Sequence, residues 1–88
     1  MVLNFQERMT VALMRASMTK EAFARYVGVS KVTVWRWETL RDEPKIGALR
    51  VLAAESGFPV EWLRPSDDEI AEGRSKYAPW DLNPEPTD

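Results

Sequence analysis

The chain has 88 residues, a formal net charge of −2, and neither cysteine nor histidine. This length accommodates one domain with a modest hydrophobic core, which a partner subunit would help to stabilise. Without cysteine and histidine there is no disulfide framework, no ordinary zinc site and no Ser-His or Cys-His catalysis. No acid pair lies in an obvious apolar setting, so we predict neither enzymatic activity nor a metal or cofactor.

Charge is unevenly distributed along the chain. Residues 1–50 carry nine Lys or Arg and five Asp or Glu, whereas residues 51–88 carry three and nine. A basic front half with an acidic end is typical of a DNA-binding domain followed by a solvated tail, although the asymmetry can also arise by accident. The sequence has neither a signal-peptide pattern nor the run of about 20 apolar residues that a membrane span needs. We therefore expect a cytoplasmic protein without membrane contact.

The first predicted helix covers about residues 5–16. The apolar residues that recur there at helical spacing are Phe5, Met9, Leu13 and Ala16. Asn4 can cap this helix, and Glu7, three residues later, completes a capping-box pattern. The pattern indicates an amphipathic helix with one buried face.

A second helix is predicted over residues 20–27. Thr19 immediately before it is a good N-cap residue, and Gly28 immediately after it can adopt the left-handed backbone that ends a helix. The next helix signal comes after only three residues, so the turn between the two helices is short.

The third predicted helix covers residues 31–38 and is capped by Ser30. Its β-branched and aromatic residues favour a strand by propensity alone. The serine cap, the neighbouring helix signals and the apolar i, i+3 pair Val34 and Trp37 favour a helix instead. Because Trp35 lies two residues before Trp37, the two rings cannot face the same way, and we expect Trp35 to be exposed.

Two further helices are predicted before residue 65. Pro44 suits the first turn of a fourth helix that continues to Gly57, and Pro59 opens a short fifth one. The apolar residues expected to face the core are Ile46, Leu49, Leu52, Ala53, Val60, Trp62 and Leu63. A polar loop, Arg41 to Pro44, precedes the fourth helix.

The last segment, residues 66–88, is acidic and proline-rich. Ser66 and Glu69 form a capping-box pattern, which predicts one or two helical turns to about Glu72. We expect the segment as a whole to be an extended or disordered tail. Its aromatic residues Tyr77 and Trp80 could contact a partner.

The spacing of these signals between residues 5 and 63 matches a known family. The residues that carry the match are Thr19, Phe23, Ala24, Gly28, Val29, Ser30, Val34, Trp37, Glu38, Pro44, Leu49, Leu52, Ala53, Gly57, Trp62 and Leu63. The pattern resembles the Cro and phage-repressor (XRE-type) helix-turn-helix family. The resemblance implies an all-α fold, a compact five-helix bundle of the phage-repressor DNA-binding domain type over residues 1–65. The helix-turn-helix would span about residues 19–38.

The resemblance also implies which residues read DNA. In this family, bases are read mainly by the first two residues of the third helix and by the residue four further on, here Lys31, Val32 and Arg36. Lys31 and Arg36 can donate to guanine O6 and N7, whereas Val32 would contact a thymine methyl group. Many relatives have glutamine at the first two positions, so the target sequence cannot be transferred from them.

Further positions would contact the DNA backbone or groove wall. These are Lys20, Ser30, Thr33, Trp35, Arg41 and Lys45. Simpler roles stay open for three of them. Lys20 can be a solvated surface lysine, Ser30 mainly a helix cap, and Trp35 a ring that packs towards Leu40.

Two groups of acids qualify this prediction. Asp42 and Glu43 lie between Arg41 and Lys45, where they would repel DNA phosphates. Glu38 matches a family acid that often pairs with an arginine of the first helix. The usual partner position is not an arginine here, so Arg8 or Arg15 would have to substitute or the pairing is lost.

The sequence therefore predicts a sequence-specific double-stranded DNA-binding transcriptional regulator, a repressor of phage or bacterial type. Its partner would be an inverted repeat with half-sites about one DNA turn apart, bound by a homodimer. The alternative is an antitoxin or another protein-interaction module on a helix-turn-helix scaffold, whose acidic tail binds a protein. The two hypotheses are compatible, since one chain can do both.

Overall fold

Six helices make up the described part of the chain, residues 3–76 of a computed structural model, and this part contains no strand. They are α1 (Phe5–Arg15), α2 (Lys20–Val27), α3 (Lys31–Glu38), α4 (Ile46–Ser56), α5 (Val60–Leu63) and α6 (Asp67–Lys76). The prediction of an all-helical, compact fold is confirmed. None of these helices combines the length and apolar character needed to cross a membrane.

The predicted N-caps of the first three helices are confirmed by hydrogen bonds. Asn4 Oδ1 accepts from the backbone N–H of Glu7 at 2.8 Å, and Glu7 Oε1 accepts from the N–H of Asn4 at 3.0 Å. The hydroxyls of Thr19 and Ser30 accept from the backbone N–H three residues later, at 3.0 and 3.1 Å. Each such cap contributes about 1 kcal/mol and fixes where its helix begins.

Four residues with left-handed backbone end helices. Gly28 (φ 79°) and Gly57 (φ 81°) follow α2 and α4 as predicted. Ser17 (φ 56°) and Leu40 (φ 59°) do the same beyond α1 and α3 without being glycine. A side chain costs about 1–2 kcal/mol in this conformation. The surrounding structure therefore has to hold Leu40 in place.

The core joins two groups of helices. Helix α1 packs against α4 and α5, α2 packs against α3, and contacts of α1 with α3 and of α2 with α4 connect the groups. The buried apolar residues are Phe5, Met9, Ala12, Leu13, Phe23, Ala24, Val34, Trp37, Ala48, Leu49, Leu52 and Leu63. The predicted core register of Val34 and Trp37 is confirmed, and it fixes which side of α3 faces outwards.

Helix α4 begins two residues later than its proline suggested. Its first helical residue is Ile46, which is exposed rather than in the core as predicted, and its N-cap is Lys45, whose side chain makes no cap hydrogen bond. Pro44 lies before the cap and is buried, so its expected place in the first turn of this helix is wrong. Pro59 likewise is the N-cap of α5 rather than its first helical residue.

Helix α6 corrects the predicted tail. The capping box is confirmed, since Ser66 Oγ accepts from the N–H of Glu69 at 3.1 Å and Glu69 Oε1 accepts from the N–H of Ser66 at 3.0 Å. The helix continues beyond Glu72 to Lys76. The prediction of an extended or disordered segment is therefore wrong for residues 66–76, and the bundle has a sixth helix. Residues 77–88 lie outside the described residues.

An ion pair between Arg8 and Glu69 attaches α6 to α1. Arg8 Nη2 lies 2.7 Å from Glu69 Oε1, and Arg8 Nε donates to the carbonyl of Trp62 at 2.9 Å. Glu69 Oε2 also accepts from the backbone N–H of Phe5 at 2.7 Å. Partial burial alone would raise the pKa of Glu69. Hydrogen bonds from Arg8, Ser66 and Phe5 and the charge of Arg8 outweigh it and hold the pKa below its ordinary value of 4.5.

We expect Glu69→Gln to destabilise the fold by about 1–2 kcal/mol at neutral pH, because it weakens charge-assisted hydrogen bonds. The pKa of Glu69 is lower in the folded chain, so folding favours the ionised carboxylate. The contribution of Glu69 to the free energy of unfolding is complete above pH 4.5 and is lost as the pH falls below that value. Urea unfolding of both proteins at several pH values measures this difference. Glu72→Gln, on the exposed side of α6, is the control and should change the free energy of unfolding little at any pH.

Candidate nucleic-acid interface

Helix α3 has one buried side and one outward side. Val34, Trp37 and Glu38 are buried. Lys31 is exposed at the first position of the helix, and Val32 and Arg36 are partly exposed. Residues four apart share a helix face, so Val32 and Arg36 lie together on the side away from the core. The three residues predicted to read bases are thus all at the surface of one short helix.

The turn before α3 places this helix next to α2. Only Gly28 to Ser30 separate the two helices, and the N–H of Val29 donates to the carbonyl of Ala24 at 2.9 Å. Ser30 Oγ and Thr33 Oγ1 lie 3.1 Å apart at the start of α3. The two hydroxyls predicted to contact the groove wall therefore form a hydrogen bond with each other, next to the backbone N–H groups of the first turn.

Trp35 is only partly exposed on α3, so the prediction that it is exposed is wrong. The guanidinium carbon of Arg41 is 5.0 Å from the centre of the Trp35 ring, a cation–π distance. The alternative prediction had this ring packing towards Leu40, whereas the side chain over its face is that of Arg41. The loop after α3 thereby brings Arg41 back against Trp35, so two of the predicted DNA contacts lie together.

Glu38 pairs with Lys20, which corrects the predicted partner. Lys20 Nζ lies 2.8 Å from Glu38 Oε1, and this bond joins the first residue of α2 to the last residue of α3. The Glu38 side chain is only 2% exposed, whereas that of Lys20 is 41% exposed. Among the described residues, Glu38 Oε2 has no hydrogen-bond partner.

The two arginines expected to pair with Glu38 have other partners. Arg8 binds Glu69, and the guanidinium of Arg15 lies 5.7 Å from the ring centre of Phe58. Neither arginine therefore takes the partner position, and the third alternative, loss of the pairing with a first-helix arginine, is the one found. Lys20 is therefore paired with Glu38. Its side chain is still partly exposed, and its contact with a DNA phosphate stays a prediction.

The sequence placed Asp42 in the loop after α3 but did not predict which side chain it would contact. Asp42 Oδ2 lies 3.5 Å from Arg36 Nη1, so a carboxylate stands next to one of the predicted base-reading groups. Lys45, the last of the predicted backbone contacts, is exposed before α4. In the described part of the chain, no group of three acidic side chains is placed to hold a metal ion.

Comparison of the chain with protein-family models, curated proteins and solved structures finds no match. What the surface can do must therefore be inferred from its chemistry. An exposed lysine and a partly exposed arginine, arranged on a short helix with hydroxyls at its N-terminus, offer donors to an anionic and acceptor-rich partner.

Proposed function

We propose that this protein is a sequence-specific double-stranded DNA-binding regulator of the Cro and phage-repressor type, with α3 in the major groove. One observation carries the proposal. Helix α3 buries Val34 and Trp37 and directs Lys31, Val32 and Arg36 outwards. The major groove is about 12 Å wide and admits one α-helix, so a short helix anchored along one side suits it.

The chemistry of the outward side supports reading of bases. A lysine or an arginine donates to guanine O6 and N7, and an apolar group such as that of Val32 contacts the thymine methyl. The backbone contacts expected around this side come from Lys20, Arg41 and Lys45. Such contacts orient the helix without selecting a sequence.

A homodimer on an inverted repeat is part of the proposal, because a single helix of eight residues reads few base pairs. Repression is the regulatory outcome we propose, since a protein bound at a promoter hinders polymerase without a surface that contacts polymerase. The net charge of the chain is −2, so attraction to DNA must come from the local basic surface.

The proposal is tested by selecting bound duplexes from a random-sequence DNA pool with the purified protein at near-physiological salt. We expect enrichment of an inverted repeat with half-sites about 10 base pairs apart. A pool without enrichment, together with binding that disappears as salt rises, would contradict the proposal, because phosphate attraction alone behaves in that way.

We expect Lys31→Ala and Arg36→Ala each to weaken binding of the selected duplex by about five- to hundredfold, because each removes a donor to a base. Binding of unrelated DNA should weaken much less. Kd values for both duplexes at one salt concentration measure the effect. Arg50→Ala, an exposed arginine on α4, is the matched control for loss of one positive charge. Equal losses on both duplexes would show that neither residue reads bases.

A protein-interaction module remains the second candidate, and one observation favours it. Helix α6 carries exposed acids in its first turn and beyond, at Asp67, Asp68 and Glu72. A basic partner could bind that acidic surface. The pair of substitutions Lys31→Ala and Arg36→Ala separates the two functions, since it should abolish DNA binding and leave a partner of α6 unaffected.

A further inference from the structure

The chain folds back over the end of α3 immediately after this helix. Leu40 has a left-handed backbone (φ 59°), which reverses the chain direction. The backbone N–H groups of Arg41 and Asp42 then both donate to the carbonyl of Arg36, at 2.9 and 3.3 Å. These bonds fix Asp42 above the last turn of the helix, next to the side chain of Arg36.

The ion pair between Arg36 and Asp42 adds little to stability. Its Nη1–Oδ2 distance is 3.5 Å, and the two side chains are 39% and 54% exposed. Water screens exposed pairs of this geometry, and they contribute little to folding. The pair nevertheless matters for DNA binding, because Asp42 is an acid on a surface that should attract phosphates.

We propose that Asp42 increases the sequence specificity of DNA binding by positioning Arg36 on the outward side of α3. It orients the Arg36 guanidinium towards base edges and repels the phosphates that would otherwise bind this arginine on any DNA. The inference rests on the proposed DNA-binding function and deepens it.

The chemistry of a guanidinium supports this role. It carries five N–H donors in a planar fork, so an arginine can hold a carboxylate and still donate to a guanine. A flexible arginine loses side-chain entropy when it binds a base, whereas one already held by a carboxylate loses less. Asp42 thus lowers the cost of the specific contact and weakens the non-specific one.

Glu43 provides a matched control for the charge of Asp42. It is the next residue along the chain and is exposed. Glu43→Gln and Asp42→Asn remove the same charge from the same loop, and Asp42→Asn additionally removes the ion pair with Arg36. A general effect of charge should therefore appear in both variants, and an effect of positioning only in Asp42→Asn.

The experiment compares Kd values for the selected duplex and for a scrambled duplex at one salt concentration. We expect Asp42→Asn to bind scrambled DNA more tightly and to lower the specificity ratio by about five- to tenfold, within the discrimination of one arginine–guanine contact. Glu43→Gln should tighten binding of both duplexes alike and leave the specificity ratio within about twofold of the wild-type value. Circular dichroism and thermal unfolding should show both variants folded like the wild type, because these acids are exposed.

A double-substitution cycle shows whether Asp42 acts through Arg36. In an Arg36→Gln background, we expect Asp42→Asn to change both Kd values only as Glu43→Gln does. Two results overturn the inference. In the first, Asp42→Asn changes the specificity ratio no more than Glu43→Gln does. In the second, Asp42→Asn lowers the specificity ratio as much in the Arg36→Gln background as in the wild type. A wild-type protein that does not discriminate between the duplexes overturns the DNA-reading proposal itself, and the inference with it.

Discussion

Replacing Lys20 by methionine should destabilise the fold by about 3 kcal/mol, whereas replacing its partner Glu38 by methionine should cost less than about 1 kcal/mol. The two side chains form one ion pair at 2.8 Å. The expected difference arises because they differ in exposure, at 41% for Lys20 and 2% for Glu38.

The asymmetry follows from what each substitution leaves behind. Lys20→Met leaves a buried carboxylate without its cation, and the described residues offer Glu38 Oε2 no hydrogen bond that could compensate. Glu38→Met leaves a lysine that can extend into water, and it adds apolar volume next to the core. Breaking a buried pair costs most when the charge that remains cannot reach solvent.

Urea unfolding of the two single variants and of the double variant Lys20→Met/Glu38→Met measures this prediction. We expect the double variant to return to within about 1 kcal/mol of the wild type, since apolar pairs can replace buried ion pairs. Equal costs for the two single variants would mean that burial of Glu38 does not determine the energetics. If Lys20 also binds phosphate, Glu38→Met should tighten DNA binding without much loss of stability, because it removes the negative charge beside this lysine.

Gly73→Ala should destabilise the chain by about 2–3 kcal/mol, although alanine is the better helix former. A Cβ at this position of α6 would lie 2.6 Å from Leu40 Cβ and 2.9 Å from the Leu40 carbonyl oxygen. Backbone atoms and a Cβ cannot move aside as the end of a flexible side chain can. Leu40 is moreover held in a left-handed backbone that the fold has to maintain.

The matched control is Gly47→Ala in α4, where an added Cβ meets no heavy atom within 4 Å. Here the helix propensity of alanine acts without a clash, and we expect a gain of about 0.5–1 kcal/mol. Thermal unfolding of both variants measures the two effects, and we expect a lower Tm for Gly73→Ala and a higher Tm for Gly47→Ala. A stabilised Gly73→Ala protein would show that α6 does not pack against Leu40 in solution.

Local sequence signals were sufficient to predict the first five helices. Asn4, Thr19 and Ser30 cap helices because their side chains reach a backbone N–H three residues away, an interaction that depends on the local chain alone. Gly28 ends α2 for an equally local reason. The register of α3 follows from the spacing of Val34 and Trp37, so helical periodicity is enough to predict its outward side.

The contacts between helices could not be predicted in this way. Lys20 and Glu38 are 18 residues apart, and Arg8 and Glu69 are 61 residues apart, so no spacing rule relates them. The acidic composition of residues 66–88 favoured a solvated tail, because composition does not show that Glu69 finds Arg8 or that Gly73 fits against Leu40.

The sequence by itself determined the approximate extent of α1 to α5 and which side of α3 is buried, since caps, left-handed ends and helical periodicity act within a few residues. Only the tertiary structure decided that α6 belongs to the bundle, that Lys20 holds the buried Glu38, and that Asp42 stands beside Arg36. Such polar pairs form where the packing of the folded chain brings opposite charges within hydrogen-bond reach, and that distance is a property of the fold rather than of any local segment.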